Sequence, residues 1–99
     1  MKTVLVVFTK RKLELDSEIS KLKRYSYNTE ADLKEGDLIS SKSYDSYLQV
    51  VKILPRDFMY YNSATGEMSN EFNSSDQRKI KTLVINQEND DNIIHGRIL

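Results

Sequence analysis

The hydrophobic positions of the chain fall into short runs, each bounded by charged or turn-forming residues. Residues 3–9 are rich in β-branched and aromatic side chains, which predicts a strand buried on both faces or at the seam of a barrel. In residues 24–28 the apolar and polar positions alternate, which predicts a second strand that presents Tyr25 and Tyr27 on one face.

Later segments continue this pattern of short strands and tight turns. Gly36 stands immediately before the apolar pair Leu38 and Ile39, so it predicts a turn with positive φ that leads into a strand. Further strands are predicted at residues 48–54, 58–62, 67–72 and 79–86, and a loop that contains Gly66 joins the second of these to the third. About six short strands with frequent turns favour a mainly β fold, a small antiparallel sheet that curls on itself.

Residues 12–23 have an ambiguous pattern. Leu15, Ile19 and Leu22 recur at i, i+4 and i+7, and Asp16 or Ser17 could cap a helix. We expect one short surface helix around residues 16–23, although a strand remains the alternative.

The chain has no linker-like stretch, so we expect residues 1–86 to form a single small β domain. Residues 87–99 are an acidic C-terminal tail, either flexible or adding a strand. If the tail is ordered, its apolar residues must be buried, either by closing the barrel or by pairing with a neighbouring chain. These residues are Ile93, Ile94, Ile98 and Leu99.

The stretch from residue 24 to residue 54 carries a recognisable arrangement. Tyr25-x-Tyr27 is followed by residues 32–39, Asp-Leu-Lys-x-Gly-Asp-Leu-Ile, and then by residues 50–54, Val-Val-Lys-Ile-Leu. This arrangement resembles the start of small SH3-like or KOW-like β-barrel proteins of phages and prophages. The resemblance implies a barrel fold and a phage or prophage origin, and it implies no catalytic or ligand-binding residues.

The composition limits the available chemistry. There is no Cys and a single His, which leaves no Cys nucleophile, no Cys-ligated zinc and no credible Ser-His-Asp set, and the three glycines form no phosphate loop. Asp90, Asp91 and His95 could in principle hold a divalent metal, but we expect a solvated tail there instead. We therefore predict no cofactor and no enzymatic activity, and a metal-dependent enzyme is the least favoured hypothesis.

Aromatic and basic residues stand close together in the first half of the chain. Tyrosines beside Arg and Lys on a strand face are typical of proteins that bind single-stranded nucleic acid, although tyrosines are also common cross-strand partners within a sheet. The candidate binding residues are Lys21, Lys23, Arg24, Tyr25, Tyr27, Tyr44 and Tyr47.

The charge distribution decides between the candidate partners. The formal net charge is +0, but residues 10–24 carry six bases and three acids, whereas residues 86–99 carry one base and three acids. This balance is unlike that of a dedicated nucleic-acid domain, which is usually strongly basic. The leading hypothesis is therefore a non-enzymatic protein that binds another protein or its own copies, and single-stranded nucleic-acid binding is the alternative. With no membrane-spanning segment or export signal in the sequence, we expect a cytoplasmic protein without a membrane partner.

Overall fold

A computed structural model of the chain describes residues 1–41, 46–87 and 94–99. Within these ranges the chain forms one short helix and ten strands, which confirms the predicted mainly β class. In chain order the elements are β1 (Lys2–Thr9), α1 (Asp16–Ser20), β2 (Tyr25–Thr29), β3 (Leu38–Ser40), β4 (Tyr47–Ile53), β5 (Tyr60–Asn62), β6 (Met68–Ser69), β7 (Gln77–Lys79), β8 (Lys81–Thr82), β9 (Ile85–Gln87) and β10 (Ile94–Ile98).

Seven strands form a curled sheet in the order β8-β2-β1-β4-β3-β10-β9, and three form a small sheet in the order β6-β5-β7. β8 and β9 occupy opposite edges of the large sheet, yet only Leu83 and Val84 separate them in the chain. A flat sheet of seven strands would hold its edges about 29 Å apart. The three Cα steps from Thr82 to Ile85 reach at most about 11 Å. The sheet must therefore curl until its edges approach each other, which confirms the predicted curled architecture.

The hydrophobic core lies against the inner face of β1. Val4 and Val6 are buried at the centre of an apolar cluster, and β1 pairs with β2 on one side and β4 on the other. The opposite face of β1 is covered as well, since Thr3 and Val7 are fully buried. The predicted strand buried on both faces is confirmed. The other buried members of the cluster are Leu33, Ile39, Leu48 and Val50.

Two glycines occupy positions that a side chain would disturb. Gly36 has a φ of 94° and donates its N–H to the carbonyl of Val50 at 2.7 Å, which confirms the predicted turn. Gly96 is buried in β10, where an added Cβ would lie 2.6 Å from Cγ2 of Ile85. A side chain at position 96 would therefore push β9 away from β10.

The helix is shorter than predicted. α1 has five residues, its N-cap is Leu15 rather than Asp16 or Ser17, and no side chain caps it. The apolar stripe that predicted a longer helix is largely unburied, because Leu15 is 61% exposed and Leu22 is 39% exposed. Without packing against the core, such a short helix gains little stability from propensity alone.

The strands are more numerous and more mixed in direction than predicted. The strand predicted at residues 79–86 is divided among β7, β8 and β9, because the chain changes its pairing partner twice in this stretch. The sheet is not purely antiparallel, since β8 runs parallel to β2 and β10 runs parallel to β3.

Residues 94–98 of the predicted tail form β10. This strand pairs with β3 and with β9 inside the large sheet of the same chain. No helix in the described part of the chain is long and apolar enough to span a bilayer.

Candidate functional site

A groove of about 390 Å³ lies between the large sheet and the small sheet. β2 and the two residues before it form one wall, and residues of β5, β7 and β8 form the other. Four basic side chains, three tyrosines and two serines line it, and none of its lining residues in the described part of the chain is acidic. We call it the tyrosine–lysine groove; its lining residues are Lys23, Arg24, Tyr25, Ser26, Tyr27, Tyr61, Ser63, Lys79 and Lys81.

Strand alternation positions the tyrosines of the first wall. Tyr25 lies opposite Val6 and Tyr27 opposite Val4 in the antiparallel pairing of β2 with β1. Cross-strand neighbours share a face, so both rings pack on the apolar cluster while remaining half-buried. The core therefore fixes these two rings at the groove.

The ring of Tyr25 already has two neighbours. Phe8 packs edge-on against it, with ring centroids 5.0 Å apart and an interplanar angle of 81°. Nζ of Lys23 lies 5.1 Å from the ring centroid. An exposed cation–π contact of this kind is worth about 0.5–1 kcal/mol, less than the roughly 1–3 kcal/mol of a stacked base, so a flat ligand ring can displace the ammonium group. The displaced Lys23 would then be available to an anionic group beside that ring.

The alternation of exposed and buried residues also orients the lysines of the second wall. Lys79 and Lys81 are exposed on either side of Ile80, which is 4% exposed, so both lysines point away from the interior. Tyr61 lies in β5, where it pairs with residues of β6 and β7. Ser63 follows β5 and donates its hydroxyl to the carbonyl of Asp76 at 2.9 Å.

β8 connects the two walls. It pairs with β2 only at Tyr27 and Asn28, and Ile80 links it to β7 of the small sheet. The part of β2 that holds Tyr25 therefore has β1 on one side and the groove on the other.

The structure brings together four of the seven candidate binding residues: Lys23, Arg24, Tyr25 and Tyr27 line the groove. Lys21 lines a neighbouring concavity, and Tyr47 lines a third one beside Ser40 and Ser46. Tyr44 lies outside the described residues.

Sequence reasoning missed the second wall. Tyr61, Lys79 and Lys81 belong to segments that are more than 30 residues from Tyr27, and long-range contacts such as the parallel pairing of β8 with β2 bring them close. The alternation of Lys79, Ile80 and Lys81 is a usable signal for two exposed lysines on one face, but it does not indicate which strand they face.

The hypothetical metal site finds no support among the described residues, where no group of three potential ligands is close enough to hold a metal ion. Nδ1 of His95 accepts a hydrogen bond from the N–H of Leu38 at 3.3 Å, and Nε2 lies 3.6 Å from Oδ1 of Asp37. Asp90 and Asp91, the other proposed ligands, lie outside the described residues.

Comparison of the chain with protein-family models, with curated proteins and with solved structures finds no match. The SH3-like barrel and the phage origin therefore stay predictions, and the function has to be argued from the groove.

Proposed function

We propose that this protein binds single-stranded nucleic acid in the tyrosine–lysine groove. The observation that carries the proposal is the lining itself, in which four basic side chains and three tyrosines meet, with no acidic side chain among the described lining residues. Cations attract phosphates, and exposed tyrosine faces stack on bases, so this lining suits both halves of a nucleotide.

The groove favours an unpaired strand over a duplex. In a duplex the base faces are stacked on each other, so tyrosine rings cannot reach them, whereas an unpaired strand offers a free face at every base. A concavity of about 390 Å³ also has the dimensions of a small-ligand site rather than of a double helix.

The net charge of zero is compatible with this proposal. Charges separated by more than about 8–10 Å are largely screened at moderate salt, so the net charge of the whole chain does not set the local field of the groove cations. Binding is expected to be modest and salt-dependent, with a slope of about −0.7 in log K against log salt for each phosphate contacted.

Fluorescence anisotropy with a labelled oligothymidine at low and then moderate salt tests the proposal. Tyr61→Leu keeps an apolar side chain but removes the flat ring, and should weaken binding by about five- to 150-fold, the equivalent of one stacked base. Tyr47→Leu, the same change outside the groove, should leave affinity unchanged.

Lys79→Ser tests the electrostatic part of the proposal. It should reduce the salt slope by about 0.7, because one phosphate contact is lost, whereas Lys34→Ser, an exposed lysine elsewhere, should not. Failure of the unmodified protein to bind at low salt would refute the proposal, as would equal effects of the groove variants and their controls.

One observation favours a second candidate function, self-association. β9 is an edge strand of the large sheet, and two exposed apolar residues lie beside it: Val84 is 61% exposed and Leu99 is 78% exposed. The N–H of Leu99 bonds to the carbonyl of Val84 at 2.9 Å, so both belong to one small surface. An edge strand with apolar neighbours can pair with a second copy.

Size-exclusion chromatography with light scattering tests this second function. The expected result is a dimer mass that Val84→Lys converts to a monomer mass, because an edge lysine opposes strand pairing. A monomer mass at all concentrations of the unmodified protein would contradict it.

A further inference from the structure

A second concavity adjoins the tyrosine–lysine groove. It has a volume of about 600 Å³ and lies on the far side of the contact between Phe8 and Tyr25. Phe8 lines this concavity and Tyr25 lines the groove, so the contact between the two rings lies at the boundary between the two concavities.

The two concavities also share a wall. After α1 the chain runs through residues 21–24 into β2; Lys21 and Leu22 line the second concavity, and Lys23 and Arg24 line the groove. All four side chains are exposed. Three cationic side chains therefore lie along this short segment, which runs from one concavity to the other.

Among the described residues that line the second concavity, three basic side chains stand against one acidic side chain. Its acidic side chain, Glu18, accepts a hydrogen bond from the guanidinium of Arg11 and is compensated by it. Lys10 and Lys21 also line the site. The apolar side chains of Phe8 and Leu22 provide a surface on which a base can rest.

We propose that the nucleic-acid site extends from the groove into this second concavity, so that one strand follows the wall of residues 21–24. This inference rests on the proposed function. Four extended residues span at most about 13 Å, equivalent to about three to four nucleotides of a stacked strand at roughly 3.4 Å each. A strand of about two nucleotides, roughly 7 Å long, that stacks on Tyr25 is therefore too short to reach Lys21.

Binding of two oligothymidines, one of about two nucleotides and one of about ten, tests the extension. Lys21→Ser should weaken binding of the longer strand by severalfold and reduce its salt slope by about 0.7, and should leave the shorter strand unaffected. Lys23→Ser should weaken both strands, because Lys23 lies in the groove. Lys34→Ser, which removes the same charge from a turn that lines neither concavity, should weaken neither.

The outcomes separate the two proposals. If both strands bind but Lys21→Ser affects them equally or not at all, the extension is wrong and the groove proposal stands. If neither strand binds the unmodified protein at low salt, the proposed function fails and the extension fails with it. Far-UV circular dichroism should show that each variant retains its strand content, since the three lysine side chains are exposed.

Discussion

The two walls of the tyrosine–lysine groove are held by different kinds of interaction. On the first wall, Tyr25 and Tyr27 pack on the apolar core cluster, and β2 pairs with β1 over five residues. Asn28, at the end of this pairing, is buried and hydrogen-bonds to Thr3 and to the carbonyl of Phe58. This wall is part of the folded core.

The second wall depends on polar contacts. Residues 57–79 contain no buried apolar side chain, and the buried side chain in this range is that of Gln77. Its Oε1 accepts hydrogen bonds from the N–H groups of Asn73 and Ser74, and its Nε2 donates to the carbonyl of Glu71. Net contributions of about 0.5–1.5 kcal/mol per hydrogen bond are smaller than those of well-buried apolar side chains.

The groove therefore joins a wall that is part of the core to a wall that has few buried apolar contacts. Regions with few buried apolar contacts open locally at lower free energy than the core does. The small sheet should therefore open without unfolding of the large sheet, and the predictions below test that separation.

The largest effect is expected from Ile39→Ala, compared with the same change at Ile80. Ile39 is fully buried inside the core cluster, whereas Ile80 is 4% exposed and lies outside it at the junction of the two sheets. Both should lower the free energy of unfolding within the usual range of about 2–5 kcal/mol, with Ile39→Ala near the top and Ile80→Ala near the bottom, because the junction can collapse more readily. Urea denaturation measures both, and an equal or larger loss at Ile80 would contradict the comparison.

A smaller and more local effect is expected from Gln77→Met. Water can replace the hydrogen bonds that Asn73, Ser74 and Glu71 lose, so the free energy of unfolding of the whole domain should fall by only about 0.5–1.5 kcal/mol. Hydrogen exchange should nevertheless accelerate at the amides of Asn62 and Ile80, which bond within this region, while the amides of β1 keep their rates.

Gln49→Met is the matched control for Gln77→Met. Gln49 is 3% exposed and makes two hydrogen bonds to the buried Leu13, at 2.7 and 2.8 Å. Removal of the Gln49 amide leaves the buried backbone groups of Leu13 without partners, so the free energy of unfolding should fall by more, about 1–3 kcal/mol. Faster exchange throughout β1 in Gln77→Met would show that the two sheets open together, and would refute their separation.

The smallest effect is expected at Glu18, on the exposed helix. The hydrogen bond from the Arg11 guanidinium holds the pKa of Glu18 below its ordinary value of 4.5. A lowered pKa in the folded state stabilises that state at pH values above the ordinary pKa of glutamate. This stabilisation is lost as the pH falls through the lowered pKa.

Glu18→Gln should therefore lower the melting temperature slightly at neutral pH, and the difference should shrink as the pH falls through the lowered pKa of Glu18. Thermal melts followed by circular dichroism check this, with Glu14→Gln, which removes an equal charge, as the control. A difference that grows on acidification would have the wrong sign and would exclude the ion pair as its cause.

Sequence patterns predicted the parts of the fold that depend on local chemistry. The run at residues 3–9, the alternation at residues 24–28 and the turn at Gly36 were all interpretable because strand faces and positive φ constrain nearby residue types directly. The helix was overestimated because periodicity cannot tell whether an apolar stripe finds a core to pack against.

The candidate site divides in the same way. The sequence predicted the first wall, because Lys23 and Arg24 directly precede β2 and because Tyr25 and Tyr27 alternate along it. The position of Tyr61, Lys79 and Lys81 opposite this wall depends on the tertiary structure. It requires the parallel pairing of β8 with β2, and it requires the curl by which the edge strands β8 and β9 come to be separated by only two residues of the chain. Long-range strand pairing depends on the packing of the whole chain, so no local pattern of residues encodes it.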